Sequence, residues 1–155
     1  MLIQKAFQYE LQPDGATCRA FSRFAGAKRF VWNKALDLQQ KRHALGLKNL
    51  LIFDLNNLLP GWKKEKPWLK EVHSQVLQQG LKDLDTGYKN FFEKRAEYPI
   101  KKKKGKCRDS FRYPQGFRLE EANSRIYLPK IGWVRYRNSR DLRGVAKNVT
   151  RWIST

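Results

Sequence analysis

The spacing of apolar residues changes near residue 98, and this change restricts the folds open to the chain. Before it, apolar side chains recur every three or four positions, which is typical of amphipathic helices. After it, they alternate with polar side chains in short runs, which is typical of antiparallel strands. With 155 residues, the chain is about the length of one domain. We therefore expect an α+β fold with most helices before most strands.

The first two helical segments differ in how clearly their ends are marked. Residues 17–46 are predicted to form a long helix, with Gly46 as its C-terminal stop. A shorter helix is expected to begin at Asp54 as its cap and to be interrupted at Pro60 and Gly61, because proline removes a helical hydrogen bond. The core stripe predicted for the long helix consists of Phe21, Phe24, Ala25, Val31, Trp32, Ala35 and Leu36.

A third helix is the clearest of the three. Ser74 suits its N-cap, and Pro99 follows shortly after its end. Gly80 and Gly87 each weaken it by roughly 1 kcal/mol relative to alanine, so close packing or approach of a ligand is expected there. Its predicted core stripe consists of Leu77, Leu81, Leu84, Tyr88, Phe91 and Phe92.

The strand signals lie at the two ends of the chain. One is "LIQKAFQYELQP", which ends at the turn signal "PDG"; the others are "FRLEE", "RIYLP" and "WVRYR". This order predicts a small β-barrel with a helical bundle inserted after its first strand. The expected division is a first strand in residues 1–14, a helical region in 15–97, a basic segment in 98–116 and the remaining barrel strands in 117–155.

The charge is large and unevenly distributed. Lys and Arg number 33 against 14 Asp and Glu, giving a net charge of +19, and residues 99–155 alone carry a net +12. Such a charge repels itself unless a polyanion neutralises it. Nucleic acid is the commonest partner of this kind, and an anionic membrane surface is the alternative.

The same composition argues against several other classes. Two cysteines without a C-x-x-C pair, together with two histidines, make a zinc site improbable and favour a reduced, intracellular protein. We expect no signal peptide or membrane span, hence a cytoplasmic protein with nucleoid association as an option. The chain offers no Ser-His-Asp or Cys-His set and no phosphate-binding loop, so we predict no catalytic residues, metal or cofactor.

The candidate binding residues are concentrated in and after the basic segment. Ten of the twenty aromatic residues also fall within residues 88–136, although Tyr127, Trp133 and Tyr136 are interpreted as barrel core. Cations neutralise phosphates, and exposed aromatic rings can stack on bases. The predicted cationic surface consists of Lys101, Lys102, Lys103, Lys104, Lys106, Arg108, Arg112, Arg118, Arg125, Lys130, Arg135, Arg137, Arg140 and Arg143.

Five stretches, in this order, carry a resemblance to a known family. They are "KAFQYELQP", "AKRFVWNKAL", "PWLKEVHSQVLQQGLKDLDTGYKNFF", "KGKCRDSFRYPQGF" and "LPKIGWVRYR". Together they resemble the N-terminal half of TnpB, also called OrfB, the insertion-sequence "transposase" family. The resemblance extends from about Leu2 to Thr150.

The resemblance implies a specific architecture and function. Full-length members are RNA-guided DNA nucleases related to compact type V CRISPR effectors. Their N-terminal half pairs a wedge-like barrel with an inserted helical recognition region, often labelled a helix-turn-helix. That half holds the guide RNA scaffold and reads a short motif in double-stranded DNA. Members continue into a RuvC-like nuclease with a zinc ribbon, which we expect this chain to lack.

The resemblance also implies site residues. The start of the third helix faces the DNA motif in family members, and Gln78 matches the family there, whereas Ser74 and Gln75 differ in identity. Glutamine can pair with adenine N6 and N7. Gln115 is expected near the same DNA. Ile100 and Lys101 stand where the family usually has Arg-Phe.

Three hypotheses follow for the activity of the chain. The first is a fragment that binds guide RNA and DNA without cutting. The second is the recognition subunit of a split nuclease whose catalytic half is separately encoded. The third is a general RNA-binding protein.

Overall fold

A computed structural model describes residues 3–142 and 144–152. The elements follow the order β1 (Leu11–Gln12), α1 (Gly15–Ala44), α2 (Ile52–Glu65), a 3-10 turn (Pro67–Glu71), α3 (Ser74–Phe92), β2 (Ser110–Tyr113), β3 (Arg118–Glu120), a second 3-10 turn (Glu121–Asn123), β4 (Arg125–Leu128), β5 (Gly132–Tyr136) and β6 (Val149–Trp152). The predicted α+β class is confirmed.

The long helix α1 packs against α3 and forms the centre of the helical region. Asp14 caps α1 by accepting a hydrogen bond from the Thr17 backbone N–H at 2.7 Å. All seven residues of the stripe predicted for this helix are buried, which confirms it. Close packing explains Gly80, because a Cβ atom there would lie 3.0 Å from Cγ of Lys28.

Helix α2 contradicts the predicted interruption at Pro60. The helix continues to Glu65 with Pro60 on its exposed side. Leu55 and Leu59 come before the proline and Trp62 comes after it, and all three side chains are buried. One apolar stripe therefore holds the helix against the core on both sides of Pro60. Tertiary packing thus outweighs the hydrogen bond that the proline removes. Asp54 lies in the first turn instead of capping the helix, which begins at Ile52.

Helix α3 is close to the prediction, with differences at both ends. Ser74 is its first helical residue and His73 occupies the cap without a side-chain hydrogen bond. Leu77, Leu81, Leu84 and Tyr88 are buried as predicted. The prediction for Phe92 is wrong, because this residue is 64% exposed. It is the last residue of α3 and lies beyond the edge of the core.

The strands form two antiparallel sheets. The first has four strands in the order β1-β5-β4-β3, and the second pairs β2 with β6. Within residues 3–142 and 144–152 no strand pairing joins the two, so the described strands do not close a barrel. Strand β2 lies inside the predicted basic segment and was not foreseen.

The first strand is much shorter than expected. Only Leu11 and Gln12 pair, with Tyr136 and Arg135 of β5. The Arg137 N–H still donates to the Glu10 carbonyl at 2.7 Å, but β5 has ended by then. Residues 3–10 therefore have no continuing partner strand and stay outside the sheet.

One hydrophobic core serves helices and strands alike. Phe111 and Tyr113 of β2 are almost fully buried, and the Phe111 ring lies 5.8 Å from Phe21 and 5.4 Å from Phe24, measured between centroids. Ile126, Leu128 and Val134 of the four-stranded sheet belong to the same cluster. The strands thus hold the basic segment against the helical region.

Candidate nucleic-acid interface

The lysine-rich part of the basic segment, residues 100–107 (the lysine loop), is fixed to α1 by hydrogen bonds. The Asn33 amide donates to the Lys102 carbonyl at 2.9 Å, and its oxygen accepts from the Lys102 N–H at 2.8 Å. The Trp32 indole N–H donates to the Ile100 carbonyl at 2.9 Å. These three bonds give the loop a defined backbone position, which a solvated tail would not have.

The lysines of this loop are not equivalent. Lys102 folds over the Trp32 ring, with its ammonium 4.4 Å from the ring centroid. Burial, and next the nearby Lys28, lower the pKa of Lys102. Its neighbours Lys101, Lys103, Lys104 and Lys106 are exposed. One lysine therefore supports the loop while four face solvent.

An open cavity of about 430 Å³ lies between α1 and this loop. It is lined by Trp32, Ile100, Lys101, Lys102, Lys103, Lys106 and Cys107. Burial and a hydrogen bond to Asp109 raise the pKa of the Cys107 thiol. Four of the seven lining residues are lysines and one is Trp32. This cationic lining suits an anion better than a neutral ligand.

An ion pair fixes the far end of the loop. The Arg29 guanidinium lies 3.1 Å from the Asp109 carboxylate, and both side chains are mostly buried. The adjacent Arg108 stays exposed and stacks over the Trp152 ring, 4.2 Å from its centroid.

A second cationic cluster surrounds the start of α3. Lys63 donates to the Ser74 hydroxyl at 2.5 Å, and Lys130 donates to the Lys70 carbonyl at 2.5 Å. Burial, then Lys130 and Lys63, lower the pKa of His73. Helix N-termini carry partial positive charge, so the cluster and the helix reinforce each other.

The three polar residues predicted at this helix start have different surroundings. Gln78 is exposed, whereas Ser74 and Gln75 are half-buried. Gln75 Oε1 and His73 Nδ1 are buried and have no hydrogen-bond partner within the described part of the chain. Lys63 was missed by sequence reasoning, because no local pattern links it to a helix that begins eleven residues later.

Arg112 is half-buried and is held against α3 by side-chain contacts. It donates to the amide oxygen of Gln79, through Nε at 3.1 Å and also through Nη2, and lies 3.7 Å from Asp83. Asp83 also pairs with Lys28 at 3.1 Å. Gln79, which was not predicted, thus positions a predicted binding residue against α3.

The remaining predicted residues lie along the four-stranded sheet and its turns. Gln115 is exposed in the turn before β3, beside Gly116, whose φ of +85° favours glycine. Arg118, Lys130, Arg135 and Arg137 are exposed, and Arg137 approaches Glu10 at 4.0 Å. Arg125 pairs with Glu120 at 3.0 Å, and Arg140 is exposed. Leu2 and Arg143 lie outside the described residues.

The aromatic residues of β4 and β5 correct one prediction. Tyr136 is buried, as expected of a core residue. Trp133 is 40% exposed and Tyr127 is half-buried, so the interpretation of Trp133 as core is wrong. The register explains this, because Trp133 alternates with buried Val134 and so points to the opposite face of the sheet.

Residues 3–142 and 144–152 contain neither a membrane-spanning helix nor a metal-binding cluster. None of the described helices is long and apolar enough to cross a bilayer. Within the same residues, no three His, Cys, Asp or Glu side chains converge in a way that could hold a metal ion.

Comparison with known proteins gives three matches. Residues 1–48 match the family HTH_OrfB_IS605, described as a helix-turn-helix domain. The chain is 52% identical over 148 residues to "Putative RNA-guided DNA endonuclease InsQ" of Escherichia coli (strain K12), covering 94% of this chain and 37% of that protein. It is 35% identical over 113 residues to "Putative RNA-guided DNA endonuclease" of Streptomyces pristinaespiralis, covering 72% and 28% respectively.

The relatives are longer proteins than this chain. The chain spans about a third of the length of the relatives it matches.

The geometry of the matched residues differs from the name of the family. The described part of residues 1–48 contains β1 and one continuous 30-residue helix, with no turn between two helices. These residues therefore do not show the two-helix arrangement by which a helix-turn-helix docks on DNA. The resemblance identified from sequence motifs is confirmed: residues 1–48 match the OrfB helix-turn-helix family, and two relatives match along most of the chain.

Proposed function

We propose that the chain binds a guide RNA scaffold and a short motif in double-stranded DNA, as the recognition part of a TnpB/OrfB-type protein. In this proposal the two sheets correspond to the wedge-like barrel of the family, and the protein works in the cytoplasm, at the nucleoid. The proposal assigns RNA to the lysine loop and the sheet, and the DNA motif to the start of α3.

The observation that carries the proposal is a fixed row of unpaired cations. Lys101, Lys103, Lys104, Lys106 and Arg108 are all exposed, and none forms an ion pair within the described ranges. Hydrogen bonds from α1 and the Arg29–Asp109 ion pair hold the backbone that carries them. Because the backbone is already held, it loses little conformational entropy when its cations meet phosphates, which favours binding.

The start of α3 supports assignment of the DNA motif. Exposed Gln78 can offer both a donor and an acceptor to a base edge. Lys63, Lys130 and the helix N-terminus supply positive charge beside it for the adjoining phosphates.

We further propose that this chain binds DNA without cutting it. The acidic residues of the last third are engaged elsewhere or stand apart: Asp109 pairs with Arg29 and Glu120 pairs with Arg125. Two-metal nucleases need carboxylates that converge on the cations. Mg²⁺-dependent cleavage of guide-matched DNA that is abolished by EDTA and survives repurification would contradict this.

Co-purification followed by selection tests the proposal. The tagged chain is recovered from cells, its bound RNA is sequenced, and the protein–RNA complex is used to select from a randomised duplex. One discrete RNA and one enriched duplex motif are the expected result. Bulk RNA without a motif would instead establish the general RNA-binding hypothesis, and a stoichiometric nuclease partner would establish the split-nuclease hypothesis.

A further inference from the structure

We propose that the outward face of the four-stranded sheet is a stacking surface for unpaired nucleobases, centred on Trp133 and Tyr127. The inference rests on the proposed nucleic-acid binding and specifies which form of nucleic acid this face accepts. The ligand is an unpaired stretch of single-stranded nucleic acid, as RNA or as DNA.

Strand register places the exposed Trp133 and the half-buried Tyr127 side by side on the outward face of the sheet. Tyr127 of β4 is the direct cross-strand partner of Trp133 of β5, and their ring centroids are 5.5 Å apart. Their neighbours Ile126, Leu128 and Val134 are buried on the opposite face. The rings are therefore held by a sheet whose other side is anchored in the core, so their positions are set before a ligand arrives.

Arginines frame the rings. The Arg118 guanidinium lies 4.8 Å from the Tyr127 centroid and 5.6 Å from the Trp133 centroid, and the Arg125 guanidinium lies 4.2 Å from the Trp133 centroid. Arg125 donates from Nε and Nη2 to Glu120, whereas the stacked guanidinium of Arg118 keeps its N–H edge free to donate to phosphate oxygens. The surface thus combines π faces for bases with donors for the backbone that links them.

Charge complementarity favours a polyanion as the occupant. Arg135 lies directly across from Arg125 on this face. Arg125 is paired with Glu120, whereas neither Arg118 nor Arg135 forms an ion pair among residues 3–142 and 144–152. Two arginines opposed by no carboxylate beside an exposed tryptophan match a phosphate backbone carrying bases, whereas an apolar protein surface would leave both charges unpaired.

The exposed rings select single strands over duplexes. Bases in a duplex are stacked on one another and present only their edges in the grooves. Unpaired bases can place a full face on an aromatic ring, and sheet faces bearing aromatic residues are a recurring solution for this. A duplex would therefore meet only the arginines.

Binding of matched oligonucleotides by the full chain tests the inference. The set comprises single-stranded RNA and DNA of about 12 nucleotides, the corresponding duplexes, and a single strand whose central positions are abasic. Trp133→Ala should weaken binding to the single strands about 5- to 150-fold, the range typical of one lost base–aromatic stack. It should have little effect on the duplexes or on the abasic strand, and Trp133→Phe should retain most of the affinity.

Trp68→Ala is the matched control, because Trp68 is 43% exposed and lies in the helical region. Its binding should equal that of the wild type on every oligonucleotide. Comparing the RNA and DNA arms shows which single strand is preferred. Tyr127→Ala provides a second variant, and thermal melts monitored by circular dichroism identify any variant that fails to fold.

The possible failures are distinguishable. If the wild-type chain binds none of the oligonucleotides, the proposed function itself fails. If it binds them, but folded Trp133→Ala or Tyr127→Ala binds single strands like the wild type, only the stacking surface is refuted. An equal loss on single strands, duplexes and the abasic strand would also refute it, since the rings would then support the sheet without touching bases.

Discussion

The helical region and the last third of the chain differ in how far carboxylates offset their cations. Residues 15–97 carry sixteen cations against eight carboxylates, and several of them form ion pairs, as in Lys28–Asp83 and Lys34–Glu65. Residues 99–155 carry sixteen cations against only four carboxylates. The excess of positive charge is therefore larger in the last third, and a polyanion relieves more repulsion there.

The aromatic residues of the last third fall into two groups. Phe111 in β2 is fully enclosed in the core beside Phe24 of α1. Trp133 and Trp152 are 40% and 43% exposed and lie beside arginines. We therefore expect substitutions of the buried group to change stability and substitutions of the exposed group to change binding.

Salt dependence should show the largest difference between the regions. If about 6–10 phosphates are contacted, affinity should fall roughly 10³- to 10⁵-fold between about 50 and 200 mM salt. Replacing the exposed Lys101, Lys103, Lys104 and Lys106 by alanine should lower the slope of log affinity against log salt by about one for each lost contact.

A second quadruple variant with the same change in net charge tests whether the position of the lysines matters. Replacing Lys41, Lys64, Lys82 and Lys89 of the helices by alanine should leave the slope nearly unchanged. Equal slopes for the two quadruple variants would show that only the net charge matters.

Leu81→Ala should have the largest effect on stability. Leu81 is fully buried in α3, and truncating such a side chain costs about 2–5 kcal/mol of unfolding free energy. Urea unfolding measures this, with Leu47→Ala as the control because Leu47 is 48% exposed. Affinity per folded molecule should not change. A loss below about 1 kcal/mol would mean that the α3 stripe is not the centre of the core.

Gln78→Ala should affect sequence preference alone. If Gln78 reads a base edge, the loss on the selected DNA motif should be about 1–3 kcal/mol. The loss on scrambled DNA should be much smaller, because phosphate contacts carry no sequence information. Gln40→Ala, at another exposed helical glutamine, is the control in a competition titration. Equal losses on both DNAs would make Gln78 an ordinary surface residue.

Asn33→Ala should give the smallest effect and tests the connection between the regions. Removing the two hydrogen bonds to Lys102 should free the lysine loop without altering any charge. We expect RNA binding to weaken by about 0.5–1.5 kcal/mol. Hydrogen exchange at the Lys102 amide should accelerate, and the exposed Asn57 serves as the control site. Unchanged exchange would show that other contacts fix the loop.

Most features that depend on local periodicity could be predicted from the sequence. The buried stripes of α1 and α3 follow from spacing alone, since each side chain's face depends on its own helix. Phe92 was misassigned because the edge of the core depends on where the partner elements end. Pro60 was misassigned because packing of Leu59 and Trp62 outweighs a local helix breaker.

Pairing over long sequence distances could not be predicted in the same way. Strand β2 exists because it pairs with β6, so that Ser110 lies opposite Trp152. The exposure of Trp133 depends on the register between β4 and β5, in which a shift of one residue would invert the faces. The Asn33–Lys102 bonds of the lysine loop likewise join residues 69 positions apart, and no motif marks them.

Hydrogen-exchange mass spectrometry of the chain with and without its co-purified RNA and selected duplex tests the central claim most directly. The claim is that the last third of the chain and the start of α3 bind nucleic acid, and that the rest of the helical region supports them. Binding should slow amide hydrogen exchange in residues 98–109, 115–118 and 125–137 and in the first turn of α3. Exchange in α2 and most of α1 should not change. Protection confined to α1 and α2, with the lysine loop and the sheet unaffected, would contradict the account.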